Sequence, residues 1–157
     1  MAGEQWLIDG YNLLRSLQSR QSKKNPWSCE QLFGCVAQFA SFKKLSTLIV
    51  LDGVGDDNEW LAYQTDGFRV VFSQKDPADA YIERFLFQQR GKLRMTVVTD
   101  DRAIANISRG GGAQVISTVL FAEMLEDCRK GHQETLDKER SRLYGFHRPF
   151  EDKLKDL

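Results

Sequence analysis

Short apolar runs alternate along the chain with longer segments whose apolar residues recur at helical spacing. Two of the runs, Leu48–Leu51 and Thr96–Val98, are continuous and rich in branched side chains, as expected for strands buried on both faces of a sheet. The runs predict five strands, at Gln5–Ile8, Thr47–Leu51, Phe68–Phe72, Met95–Thr99 and Gln114–Ser117.

The segments between these runs carry helical patterns. In the first, Leu32, Val36, Phe39 and Phe42 form an apolar stripe near helical spacing. The second opens with Asp-Pro, which predicts a cap followed by proline in the first helical position. Because strands alternate with helices, the pattern indicates an α/β protein with a mainly parallel sheet of about five strands and helices on both faces. The predicted helices are Ser28–Leu45, Asp76–Arg90, Arg102–Arg109 and Thr118–Arg129.

Length, charge balance and the length of the apolar runs exclude several classes of protein. A chain of 157 residues predicts one domain, and 22 basic against 22 acidic residues exclude a wholly basic nucleic-acid coat. The apolar runs are far too short to span a membrane, and we expect a cytoplasmic protein with reduced cysteines and no membrane partner. The domain is expected at residues 1–130, followed by a polar C-terminal extension at 131–157, a helix or arm packed on the same domain.

Carboxylates follow three of the predicted strands. Asp9 comes after the first strand, Asp52 after the second, and Asp100 and Asp101 after the fourth. Ligands of open α/β sheets bind beyond the carboxyl ends of the strands, so these side chains are expected at one edge. On a helical wheel, Asp79 borders the apolar stripe of its helix, in the turn nearest the same edge.

The negative charges of these carboxylates repel one another unless a bound cation compensates them. Carboxylate, amide and water oxygens suit Mg²⁺ or Mn²⁺, and such an ion activates water and stabilises the leaving oxygen of a phosphodiester. Each acid also has a structural interpretation, as a turn former, a helix cap or a surface ion-pair partner. Their combination at one edge favours the metal site.

Four ordered motifs resemble the YacP-like NYN family, within the PIN-like metal-dependent ribonucleases. They are Ile-Asp-Gly-Tyr-Asn at 8–12, Val-Leu-Asp-Gly at 50–53, Phe-Ser-x-x-x-Asp-Pro-Ala-Asp-x-Tyr-Ile-Glu at 72–83, and Val-Val-Thr-Asp-Asp-Arg at 97–102. The resemblance covers roughly residues 5 to 125. It implies a three-layer, Rossmann-like α/β/α fold, an acidic Mg²⁺ or Mn²⁺ site, and endonucleolytic cleavage of RNA.

The resemblance also implies roles for individual residues. Asp9, Asp52, Asp79 and Asp101 would be catalytic and would hold the metal directly or through water. Asn12 would orient the site. In the last motif Asp100 stands where the relatives usually have serine, so Asp101 is favoured as the ligand and Asp100 stays as an additional candidate.

Basic residues near the first motif are candidates for RNA binding. Arg15, Arg20, Lys23 and Lys24 form a stretch without acids that ends at Trp27, and Arg102 follows the last motif. Together they predict a patch for single-stranded RNA, free or presented by the ribosome. The alternative is a solvated helix face with Trp27 as a core anchor.

Other function classes fit less well. A dinucleotide-binding domain needs a glycine-rich first turn, which Asp9–Asn12 lacks, and a phosphoaspartate hydrolase needs an aspartate where Tyr11 stands. The alternative that stays open is a non-catalytic PIN-like module that binds RNA or a ribosome without cutting. The sequence carries no pattern that assigns an oligomeric state.

Overall fold

A parallel sheet of five strands forms the centre of the molecule. The computed structural model describes residues 3–20, 27–56, 60, 64–92 and 94–128. Each predicted strand is confirmed to within one residue at either end. The strands are β1 (Glu4–Asp9), β2 (Ser46–Leu51), β3 (Phe68–Phe72), β4 (Arg94–Val98) and β5 (Gln114–Ile116).

The strand order is β3-β2-β1-β4-β5, with β1 in the middle. The chain first adds strands on one side of β1 and then crosses to the other side at β4. In doubly wound sheets this reversal opens a crevice at the carboxyl ends of the two central strands. The crevice therefore lies where β1 and β4 end.

Five helices occur in the described residues, and four of them match the predicted ones. The additional helix is α1, whose apolar face consists of buried Leu13 and Leu17 with Leu14 partly buried beside them, too few positions for a periodic signal. The prediction for Pro77 was wrong, because this proline is the N-cap of its helix rather than its first helical residue. The helices are α1 (Gly10–Arg20), α2 (Cys29–Lys43), α3 (Ala78–Gln89), α4 (Arg102–Gly110) and α5 (residues 118–128).

The helices form two outer layers, which gives the expected α/β/α arrangement. On one face α1, α2 and α5 cover the sheet, and Phe39 of α2 stacks edge-on against Phe121 of α5 with ring centroids 5.2 Å apart. On the other face α3 and α4 bury Ile82 and Ile104. The stripe of α2 ends at Phe42, whose side chain is 54% exposed.

The described residues include no helix long and apolar enough to cross a bilayer. Cys29, Cys35 and Cys128, all within the described residues, form no disulfide. The predicted C-terminal extension at 131–157 lies outside the described residues.

Candidate active site

A cavity of about 400 Å³ opens at the carboxyl ends of β1, β2 and β4. All four aspartates expected to form the site contribute to its lining, from four separate segments of the chain. The side chains of interest that line it are Asp9, Asp52, Asp79, Asp101, Tyr11 and Arg15.

Asp9 is the buried member of this group. It ends β1 and is 8% exposed. Its carboxylate accepts hydrogen bonds from the backbone N–H of Asn12 and from the hydroxyl of Thr99, at 3.4 Å for the latter. Burial raises the pKa of Asp9 to about 6, and the charge of Asp101 adds to the rise, whereas the two hydrogen bonds and Arg15 act in the opposite direction. The carboxylate thus lies where a cation would compensate it.

Asp101 caps helix α4 and faces the cavity. Its Oδ1 accepts the backbone N–H groups of Ala103 and Ile104 at 2.8 and 3.2 Å. The backbone N–H of Asp101 donates to the Thr99 hydroxyl at 3.1 Å, and that hydroxyl donates in turn to Asp9. Thr99 therefore fixes the two carboxylates relative to each other.

Asp52 and Asp79 lie at the start of helix α3. Oδ1 of Asp52 accepts the backbone N–H of Ala78 at 3.0 Å, so the carboxylate from β2 binds the first residue of that helix. Asp79 follows one residue later, half-buried, with Oδ1 accepting the N–H of Ala80 at 2.8 Å. Asp52 and Asp79 therefore both bind the start of α3 and line the cavity.

Asp100 is not brought into the cavity. Both of its carboxylate oxygens accept hydrogen bonds from Thr118, one from the backbone N–H at 2.9 Å and one from the hydroxyl. The side chain thus binds the start of α5. The carboxamide oxygen of Asn12 accepts the backbone N–H of Asp100 at 2.7 Å, which places Asn12 as a support of the loop between β4 and α4.

The basic candidates are only partly gathered at this site. Arg15 lines the cavity, and its Nε donates to the carbonyl of Tyr11 at 3.4 Å. Arg102 begins α4 with an exposed side chain and is not part of the cavity lining. Trp27 packs against the core, as its structural interpretation predicts. Arg20 ends α1, and Lys23 and Lys24 lie outside the described residues.

Two residues were missed as individual candidates, Tyr11 in the cavity lining and Thr99 behind it. Tyr11 lines the cavity and is 36% exposed, and Thr99 is 2% exposed between the two carboxylates. Both directly follow or flank a strand end in the motifs quoted above. Their position next to a strand end could have identified both residues, but only acidic residues were selected by that criterion.

The number and type of side chains that line the cavity determine how a metal ion could bind there. Within the described ranges, no three His, Cys, Asp or Glu side chains lie close enough together to hold one ion. Mg²⁺ usually keeps several waters and takes one or two carboxylates, and hard oxygens are its preferred ligands. The four aspartates therefore fit a divalent ion held by one or two carboxylates and otherwise by water.

Comparisons with known proteins agree with the fold described above. The family model for the YacP-like NYN domain matches residues 6–156. Among solved structures, the crystal structure of Rae1 (YacP) from Bacillus subtilis is 19% identical and superimposes with a TM-score of 0.72, covering 98% of this chain and 91% of that chain. A tryptophan-to-leucine mutant of the same protein is 20% identical with a TM-score of 0.69, covering 88% of this chain and 84% of that chain. No curated protein matches the chain.

Proposed function

The chain belongs to the YacP-like NYN domain family, and from this premise we propose that it is a metal-dependent endoribonuclease acting on single-stranded RNA. Membership of a PIN-like nuclease family supports an RNA-related nuclease role at the coarse level. The finer proposal adds the divalent metal, the RNA substrate and internal cleavage.

One observation carries the proposal. Asp9 is buried among three further aspartates at the carboxyl end of the central strand, and its pKa is raised to about 6. A buried carboxylate beside other carboxylates costs stability unless a cation binds there. The fold tolerates this cost at the crevice where doubly wound sheets bind ligands, which is typical of a functional site.

The side chains divide into three roles. Asp9 and Asp101 would hold Mg²⁺ or Mn²⁺, and Asp52 and Asp79 would order the surrounding water. The bound ion would supply Lewis-acid stabilisation of the phosphodiester and lower the pKa of a water. Arg15, the cation in the cavity lining, would bind a phosphate beside the scissile bond.

Tyr11 favours a single-stranded substrate. Its ring lies at the cavity beside Asp9 and is partly exposed, so an unstacked base has an aromatic surface to stack on. In a duplex the bases are already stacked and unavailable. Cleavage of RNA presented by a partner such as the ribosome is compatible with this arrangement.

The test compares the wild-type protein, Asp9→Asn and a matched control, Asp66→Asn. Asp66 is exposed in the turn before β3, at the opposite edge of the sheet. Each protein is incubated with end-labelled single-stranded RNA in Mn²⁺, Mg²⁺ or EDTA. We expect internal cuts in either metal, none in EDTA, none by Asp9→Asn, and full activity of Asp66→Asn. Cleavage that persists in EDTA or in Asp9→Asn would refute the proposed site.

A non-catalytic RNA-binding module is the second candidate, favoured by the lack of a three-ligand metal group in the described part of the chain. It predicts RNA binding of equal strength in Mn²⁺ and EDTA with no cleavage. Calorimetric titration with Mn²⁺ separates the two candidates, because only the nuclease predicts metal binding that Asp9→Asn weakens.

A further inference from the structure

A second cavity lies at the opposite edge of the sheet, at the amino ends of β1, β4 and β5. It encloses about 470 Å³ and is lined by two arginines, Arg90 and Arg94, and by Glu4. We refer to it as the arginine cleft. Because β1 runs from Glu4 in this cleft to Asp9 in the acidic cavity, the two sites are roughly 17 Å apart.

The lining of the arginine cleft carries two arginines against one glutamate, a net positive charge. Lys92 and Arg109 are exposed near it in sequence, in the turn after α3 and the last turn of α4. Within the described chain, none of these four cations forms an ion pair. Glu4 is the acid of the lining, and its Oε1 accepts the Trp6 indole N–H at 3.1 Å.

The walls of the arginine cleft are open to a bulky anion. Three of its lining residues are glycines, Gly91, Gly111 and Gly112. Gly91 and Gly112 have φ values of +77° and +88°, a conformation that other residues rarely adopt. Since no side chains project from these positions, a phosphate group has room to approach the backbone of the cleft that also holds Arg90 and Arg94.

An RNA substrate needs such a surface. The acidic cavity repels phosphates until a cation binds, and Arg15 is the cation in its described lining. Phosphate contacts supply most of the affinity of proteins for nucleic acids. Guanidinium groups form paired hydrogen bonds with phosphate oxygens, which lysine does not. The arginine cleft thus offers a pair of guanidinium groups for phosphate contacts, whereas the described lining of the acidic cavity has one, that of Arg15.

We propose that the arginine cleft binds the phosphate backbone of the RNA at a point separate from the cleavage site. This inference rests on the proposed function for its choice of RNA as the polyanion. It predicts that affinity depends on Arg90 and Arg94 even when no metal is present, and that a dinucleotide, whose single phosphodiester cannot reach both sites, is cleaved equally well without them.

The experiment measures binding of a long unstructured single-stranded RNA in EDTA, by fluorescence anisotropy over a range of salt concentrations. The double variant Arg90→Gln/Arg94→Gln is compared with the wild-type protein and with Arg69→Gln. Arg69 is an exposed arginine on the edge strand β3, away from both sites. Thermal unfolding of each variant establishes that the fold is retained.

We expect the double variant to lower the slope of log affinity against log salt by about 1.4, because each phosphate contact on a single strand contributes about 0.7. This corresponds to about 25-fold weaker binding near 0.1 M salt. Arg69→Gln is expected to keep the wild-type slope. An unchanged slope in a folded double variant would overturn the proposal.

Two further outcomes are informative. Binding to vesicles containing anionic phospholipid, with none to RNA, would assign the surface to a membrane and also overturn the proposal. If Mn²⁺ yields no cleavage but EDTA binding depends on both arginines, the cleft stands while the nuclease proposal fails.

Discussion

A buried carboxylate destabilises a fold unless its charge is compensated, and Asp9 is compensated only in part by its two hydrogen bonds and Arg15. Its pKa is 3.8 ordinarily and about 6 in the folded protein. The folded state therefore binds more protons than the unfolded state between these values, and the contribution of Asp9 to stability is lost as the pH rises through about 6.

Removing this charge should stabilise the metal-free protein. For Asp9→Asn in EDTA at pH 7.5, we expect the free energy of unfolding to rise by roughly 1–3 kcal/mol, since each pKa unit corresponds to about 1.4 kcal/mol. The advantage should shrink to about 0.5 kcal/mol near pH 4, where Asp9 is protonated in the folded state and about half protonated in the unfolded state. Urea denaturation at the two pH values measures it, and a variant less stable than the wild-type protein at pH 7.5 would contradict the argument.

The same pKa sets the pH dependence of metal binding. A divalent cation must displace the proton from Asp9, so the affinity for Mn²⁺ should fall about tenfold per pH unit below about 6 and level off above it. Calorimetric titration from pH 5 to pH 8 follows this profile. A pH-independent affinity over that range would show that Asp9 does not take part in metal binding.

Substitution of Asp100 should lower stability without lowering activity, and substitution of Asp101 should do the reverse. Asp100→Ala leaves the N–H of Thr118 without its acceptor, so we expect a loss of about 1 kcal/mol with cleavage retained. Asp101→Asn keeps a capping oxygen for Ala103 but loses the charge, and we expect near-normal stability with metal affinity or cleavage lowered by about 10–100-fold. The reverse pattern would identify Asp100 as the ligand.

At the scale of residues, the sequence could identify the acids but not their orientation. Asp9, Asp52 and Asp101 each follow a strand, and this position alone placed them at one edge. The direction of the Asp100 side chain depends on where α5 begins, because Thr118 offers both of its donors there. That contact spans 18 residues, and no local pattern encodes it.

Among the helices, α1 is the one that brings Tyr11, Asn12 and Arg15 to the site, and its close approach to β2 depends on Gly10. A Cβ at Gly10 would lie 2.6 Å from Leu51 Cδ2, 2.8 Å from Ile49 Cγ2 and 3.1 Å from the carbonyl of Val50. The first two distances are shorter than real Cβ contacts, so a larger residue must displace the buried side chains of Leu51 and Ile49, and the carbonyl must move by a few tenths of an ångström.

We therefore expect Gly10→Ala to lower the free energy of unfolding by about 1–3 kcal/mol and to impair cleavage by displacing the start of α1. Gly34→Ala is the matched control, because nothing lies within 4 Å of a Cβ at that position in the middle of α2. The control should be neutral or more stable by up to about 1 kcal/mol. Denaturant unfolding and the RNA cleavage assay measure both variants, and equal stability changes would contradict the packing argument.

The elements themselves were largely predictable from the sequence. The continuous apolar runs of β2 and β4 mark strands buried on both faces, and the stripe of α3 buries Ala78, Ile82 and Leu86. Helix α1 carries three leucines, too few to show a period, and packs them over one part of the sheet.

At the scale of the molecule, a formal net charge of zero conceals charges of opposite sign at the two edges of the sheet. Aspartates gather where the strands end, and Arg90, Arg94 and their neighbours gather where β4 and β5 begin. The sequence predicted local patches but placed the basic one near Arg15–Lys24. The arginine cleft requires knowledge of the strand order, because Glu4 and Arg94 are neighbours only through the pairing of β1 with β4.

The strand order also determines when, during synthesis of the polypeptide, the aspartates of the acidic cavity come together. The central strand β1 is synthesised first, yet one of its two partners, β4, begins 90 residues after β1 begins. Pairings between distant parts of a chain form late, after the ends of a long loop have been brought together. Asp101 joins Asp9 only once β4 has docked. A ribosome making this protein therefore carries an incomplete site through most of translation, and potential cleavage activity is withheld until the domain is nearly finished.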